Sequence, residues 1–355
     1  MKRIRKSFIA FALAGIFTLP FSPLAAAADD MNDAPVTAES LSEANRSDRD
    51  RIAAAYLALF EDKRQKSAAT VSIDTPLADI DCEGEIHLQK DDDATRSKIE
   101  LAYEIEPKAF MGDKKDIISG SVLLYSIDDA ETSTAYYITS FGKTEDQTWK
   151  KMSTPLSEAG DAIKQWQTMT EQYKQDFSTT IKDVKTISDS ERETTYEITV
   201  DGEKSGRLLQ EMIGTLLSVA DTAASQKAKK QGGKLKKKDA APALSNEELL
   251  AVTGKILREF PDYTSTVVYS KETNRILSDS TDFSFVVQRL IQAGIRQAPP
   301  QYRDKTGFLA FFIDSSKVRI KNTYGTLGAD EVIEIPQEVI DNAVEAPIPL
   351  PETKL

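Results

Sequence analysis

The sequence predicts an α+β protein built on a large antiparallel sheet, and three observations carry that expectation. Segments of strict two-residue alternation recur, short polar turns join them, and helical stripes fall between groups of strands rather than after every strand. A doubly wound fold would need a repeating strand-helix-strand period, which the chain does not show.

The chain begins with Lys2, Arg3, Arg5 and Lys6, continues with an apolar run from Phe8 to Leu19, and then reads Pro20 and the small stretch Ala25 to Ala28. A charged start, a short apolar core and an A-x-A site in that order predict a cleaved export signal over residues 1–28. The apolar run falls short of the roughly 20 residues needed to cross a bilayer, so no membrane span is expected. Cys82 is the only cysteine, so no lipid-accepting thiol follows the signal, and the expected location is secreted or periplasmic.

A formal net charge of −12 on 45 basic and 57 acidic residues argues against nucleic acid as a partner, because phosphate recognition needs a concentrated cationic surface. A lone cysteine cannot make an internal disulfide, so stability has to come from a core. With 40% hydrophobic residues the chain can build one.

Residues 29–46 are acidic, small and aperiodic, and read as a disordered lead-in. From Ser47 to Lys66, Ile52, Tyr56, Leu59 and Phe60 place one apolar stripe on a helix. In Ile80 to Gln89 the even positions (Ile80, Cys82, Gly84, Ile86, Leu88) are dry and the odd positions (Asp81, Glu83, Glu85, His87, Gln89) are wet. Lys98 to Glu106 repeats this, with Ile99, Leu101, Tyr103 and Ile105 dry. Ile117 to Ile127 and Ala135 to Phe141 are apolar or aromatic on both faces, so each should be covered twice, once by the core and once by helices carrying Trp166 and Leu216.

A helix from about Leu156 to Tyr173 is expected next, then strands from Phe177 to Ile187 and Thr194 to Val200 around the turn SDSERE, then a helix between Glu203 and Ala224. Seven lysines (Lys227, Lys229, Lys230, Lys234, Lys236, Lys237 and Lys238) surround Gly232-Gly233 and mark a flexible insertion over residues 225–244. Ser245-Asn246-Glu247-Glu248 is a capping box that opens a helix to Phe260, ahead of Pro261. Tyr263 to Ser270 and Arg275 to Leu277 form a hairpin across KETN, Phe283 to Ile295 a helix, and Phe308 to Tyr324 an extended segment broken near Asp314. These elements form one domain over residues 47–346, followed by a Pro-rich tail at 347–355.

No catalytic constellation emerges, so the expectation is a non-enzyme without a cofactor. His87 lies on a wet face with no nucleophile patterned beside it, and reads as a solvated surface side chain. Cys82 lies on a dry face, where a reactive thiolate is disfavoured. Asp91-Asp92-Asp93 lacks the glycine and closing glutamate of a calcium loop and reads as a hairpin turn. The lysine run is either a plain solvated insertion or a contact for an anionic envelope surface. Tyr125, Tyr136, Tyr137, Phe141, Trp149, Trp166 and Tyr173 cluster in sequence and either fill a core or line a ligand cavity.

Three passages carry a resemblance. FFIDSSKVRIKNTYGTLGADEVIEIPQEVIDNA, Phe311 to Ala343, resembles the closing strand and IP-x-EV-x-x-A signature of secreted bacterial proteins with a LolA- or LppX-like fold. YYITSFGKTEDQTWKKM, Tyr136 to Met152, is similar to that family's strand-turn-Trp-Lys element, and TYEITVDGEKSGRLLQEMIG, ending at Gly214, to its strand-then-helix passage. The resemblance implies a curved half-barrel sheet with helices in its concavity, over an apolar pocket that carries lipids in characterised relatives.

On this reading the protein is an exported binder or carrier of an apolar, lipid-like ligand, with Leu123, Leu124, Tyr125, Tyr137, Phe141, Trp166 and Leu216 as cavity candidates. The alternative is an envelope-associated structural or interaction module without a ligand. Amino-terminal sequencing of the exported protein should find the mature start at Ala28 or Asp29, and full-length chain recovered in washed membranes would contradict the export signal.

Overall fold

A computed structural model describes residues 47–108, 117–141, 144–145, 148–155, 168, 171–172, 174, 176–215, 246–297 and 316–346. Helix α1 (Asp48–Glu61) starts where the Ser47 Oγ accepts from the Asp50 amide at 3.2 Å, satisfying a donor that the first turn leaves open. It stops at Asp62, whose backbone is extended and whose carboxylate takes a two-pronged bond from Arg275 at 2.6 and 2.9 Å. The helix is therefore shorter than the stripe from Ser47 to Lys66 suggested, because Arg64 already belongs to a strand.

That strand, β1 (Arg64–Asp74), opens an up-and-down run through β2 (Ala78–Lys90), β3 (Ala94–Pro107), β4 (Ile118–Asp129) and β5 (Thr132–Phe141). The short β6 (Thr144–Glu145) pairs with β5, and β7 (Lys150–Pro155) continues the sheet. A second run begins with β8 (Ile181–Asp189) and β9 (Glu193–Val200), passes α2 (residues 202–215) and α3 (Asn246–Leu257), and resumes with β10 (Tyr263–Ser270) and β11 (Arg275–Asp282). Helix α4 (Ser284–Gln297), β12 (Lys317–Thr326), α5 (Gln337–Asn342) and β13 (Val344–Glu345) complete the described elements. Other boundaries differ from expectation as well: residues 177–180 are helical rather than the start of β8, β11 runs on to Asp282 rather than ending at Leu277, and the IP-x-EV signature is the opening of α5.

The thirteen strands form one sheet, in the order β13-β7-β5-β4-β3-β2-β1-β12-β11-β10-β9-β8 with β6 beside β5. Every pairing is antiparallel except β13 with β7. The outer strands of this order do not pair with each other, so the sheet is open, and the α+β class with a large antiparallel sheet is observed as expected.

The two runs meet at one seam, where β1 pairs with β12 from Gln65↔Thr326 to Asp74↔Lys317. Side chains directly opposite in such a ladder share a face. Following partners across the seam gives one continuous inner face: Val71 stands opposite Cys82 and Ile320, and Cys82 opposite Tyr103.

Over β8 to β11 the inner face packs against α1, where Ile52, Tyr56, Leu59 and Phe60 meet Tyr196, Ile198, Val267 and Ile276. Leu208 of α2 and Val286 of α4 join the same core. Around the seam a second cluster centres on Val71 and Cys82.

The opposite face of β4 and β5 is covered by the chain after β12. Leu327 donates its amide to the Arg64 carbonyl, the Arg64 guanidinium donates to the carbonyls of Gly328 and Glu331, and the Ile333 amide donates to Gln89 Oε1 at 3.0 Å. The segment then seats Val339, with Ile335 and Ala343 beside it, on Tyr125, Tyr136 and Trp149. It ends as β13 against β7, with the Val344 and Ala346 amides donating to the carbonyls of Trp149 and Lys151. Double coverage of β4 and β5 thus has a strap as one cover.

Ile86 is buried on the inner face, while Glu85 faces outward between Lys66 and His87. Ile86→Ala should cost about 2 to 4 kcal/mol in urea denaturation, against under about 1 kcal/mol for Glu85→Lys. Equal costs would contradict the register.

Candidate functional site

The inner face of β3 to β5 sets itself apart from the rest of the sheet. Register places Ile99 opposite Ile86 and Leu124, and Leu124 opposite Tyr137. The next row runs Leu101, Val122 and Thr139, and the row beyond it Tyr103, Gly120 and Phe141. Apart from Ile86 and Gly120, these residues are only half-buried, whereas the seam residues Val71 and Cys82 of the same face are 2% and 1% exposed. An apolar strip thus runs along three strands with access to solvent.

One end of the strip is closed by an aromatic bar. The Tyr103 ring lies across β4 to reach Phe141, with centroids 6.1 Å apart. Gly120 allows this, since a Cβ there would stand 2.4 Å from the Tyr103 hydroxyl. The other end is polar: Ser97 faces Ser126 with their hydroxyls 2.7 Å apart, and Thr95 faces Asp128 one row further. The Asp128 carboxyl is pushed up from the usual aspartate range by burial, against a hydrogen bond from Ser133.

The cavity candidates divide between two faces. Leu124, Tyr137 and Phe141 lie on the inner strip, while Leu123 and Tyr125 lie on the outer face against Trp149 and Val339. Trp166, Leu216 and the lysines from Lys227 to Lys238 lie outside the described residues. Sequence reading identified the dry face of β3 but did not join Ile99, Leu101 and Tyr103 to the strip, because cross-strand register is not written in a single strand. The alternation in β3 was the signal that could have found them.

Chemistry-bearing side chains elsewhere are engaged. His87 Nε2 lies 2.7 Å from Glu85 Oε1, and the Lys66 ammonium lies 3.1 Å from the same oxygen. His87 is consequently half-buried in a charged cluster rather than freely solvated. Burial pushes the Cys82 thiol up to about 11, which keeps it protonated and inert. The aspartate run turns β2 into β3, with the Asp91 amide donating to the Ala94 carbonyl and its carboxylate accepting from Gln89 and Arg96. Among the described residues no three metal-ligating side chains come together, and no described helix is long and apolar enough to cross a membrane.

The buried carboxylate of Asp279 ties α1 to the sheet and was not anticipated from the sequence. Its oxygens accept from Tyr324 at 2.6 Å, Asn322 at 2.8 Å and Tyr56 at 3.3 Å. Burial outweighs these donors and pushes the carboxyl up to about 6.

No family model matches the chain, and no curated protein is similar to it. Among solved structures it is similar to a beta-barrel-like protein of the domain of unknown function DUF1849 from Brucella abortus, at 8% identity over 62% of this chain and 85% of that one, with a TM-score of 0.24. A likeness this loose transfers neither residue roles nor a ligand.

A carboxyl raised above its unfolded value favours the folded state while protonated, so Asp279 contributes stability below about pH 4 that is lost as the pH rises through about 6. The stability of the native protein relative to Asp279→Asn should fall by up to about 3 kcal/mol between pH 4 and pH 7 in denaturant titrations. Parallel pH profiles for the two proteins would contradict the assignment.

Proposed function

We propose that the chain is an exported, non-enzymatic binder or carrier of an apolar, lipid-like ligand at the bacterial cell envelope, acting in the periplasm or outside the cell. What supports the reading is the half-buried apolar strip of Ile99, Leu101, Val122, Leu124 and Tyr137 on the face that elsewhere forms the core. A folded protein keeps such a surface solvent-accessible at a cost of about 25 cal/mol for every Å2 left unburied, which a bound apolar ligand recovers. Pockets for such ligands are largely preformed and mostly apolar, with a few polar groups that orient the guest. The LolA- or LppX-like resemblance of the sequence points the same way, and the lysine-rich segment is assigned a weak contact with anionic envelope surfaces.

The strip and the strap make the test specific. An environment-sensitive fatty-acid probe should bind the native protein saturably, and Leu124→Arg, on the strip, should weaken it about ten-fold or more. Leu123→Arg, one residue away but beneath the strap, should instead lower stability by about 2 kcal/mol or more while leaving probe affinity of the folded fraction near native. Absence of saturable binding to the native protein would replace the carrier with the interaction module.

A further inference from the structure

Granting the ligand-binding reading on which this rests, we propose that the strip selects an amphiphile with a neutral, hydroxyl-bearing headgroup, seated at Ser97, Ser126 and Asp128. The strip has direction: it runs from the Tyr103–Phe141 aromatic bar to the polar end over six residues of β3, about 20 Å at strand pitch. An extended alkyl chain lying along it puts its head among the serines.

The polar end is short of hydrogen-bond donors. Asp128 Oδ1 is buried and has no partner among the described residues. Gln65 lies in the row of Ser97 and Ser126, reached through Leu88, and is 0% exposed. Neither its Oε1 nor its Nε2 has a partner among the described residues. Two unmet acceptors and one unmet donor line one edge of the face, and a buried polar group left unpaired is costly.

A hydroxylated head satisfies both kinds of group, since each hydroxyl donates once and accepts twice. A carboxylate or phosphate head would bring a second negative charge to Asp128 where solvent screening is weak. Lys90 lies in the outermost row, opposite Thr95, and already has an interaction of its own. A quaternary ammonium head would complement the charge of Asp128 but offers no donor.

Three single-chain amphiphiles of equal tail length separate the terms: 1-monolauroylglycerol, laurate and dodecyltrimethylammonium, titrated below micellar concentration into the full chain. The expected order places 1-monolauroylglycerol about ten-fold or more ahead of both others. Asp128→Asn should improve laurate binding and narrow its gap to the neutral ligand below about three-fold, and Ser126→Ala should weaken the neutral ligand alone. Gln65→Leu removes a buried unpaired amide, so it should raise the Tm of the free protein by a few degrees while weakening 1-monolauroylglycerol several-fold. Equal affinities for the three, or preference for laurate, would overturn the headgroup assignment and leave the binder reading standing. If none of the three binds, the binder reading itself fails and this inference falls with it.

Discussion

Everything else in this fold depends on the pairing of β1 with β12. Ten register pairs, Gln65 to Asp74 against Lys317 to Thr326, join the strands of the first run to those of the second. Remove that ladder and two smaller sheets remain, each with one more edge exposed to unintended pairing. With it, one inner face extends from the α1-packed core to the strip on β3 to β5. The contact joins residues more than two hundred positions apart, so the loop-closure cost is met late, and folding should be slow for that reason.

Helix α1 acts as the clamp on that seam. It leads directly into β1, and two polar ties hold it to β11: Arg275 to Asp62 at the helix end, and Tyr56 to the buried Asp279. A buried carboxylate adds little net stability and is costly when any of its donors is lost. Its value here is positional, because Tyr324 and Asn322 of β12 bind the same side chain. One group thus fixes the helix, β11 and β12 relative to each other.

The sequence disclosed strands whose two faces differ in chemistry and hid those whose faces do not. In β2 and β3, inward Ile, Cys and Leu alternate with outward Glu and Asp, and both strands were legible within a few residues. In β1 the inward positions are Gln65, Ser67, Ala69, Val71 and Ile73, so half of the central strand carries no apolar signal, and its first residues extend the stripe of α1. The double dryness of β4 and β5 was legible, but its cause was not. The strap that covers Tyr125 and Tyr136 arrives from two hundred residues downstream with Val339 as its main anchor. The division of the candidate site follows the same logic: Leu123 and Leu124 look alike in sequence, and only the register sends one to the strap and the other to the strip.

The functional account comes down to whether the strip of Ile99, Leu101, Val122, Leu124 and Tyr137 is occupied when the protein is made in a cell. Native mass spectrometry of the protein expressed in bacteria and purified without detergent is the direct measurement. The account predicts a population carrying one amphiphile-sized adduct, absent from Leu124→Arg and retained by surface variants such as Glu83→Gln. Adduct-free native protein, or an adduct equally present on Leu124→Arg, would contradict it.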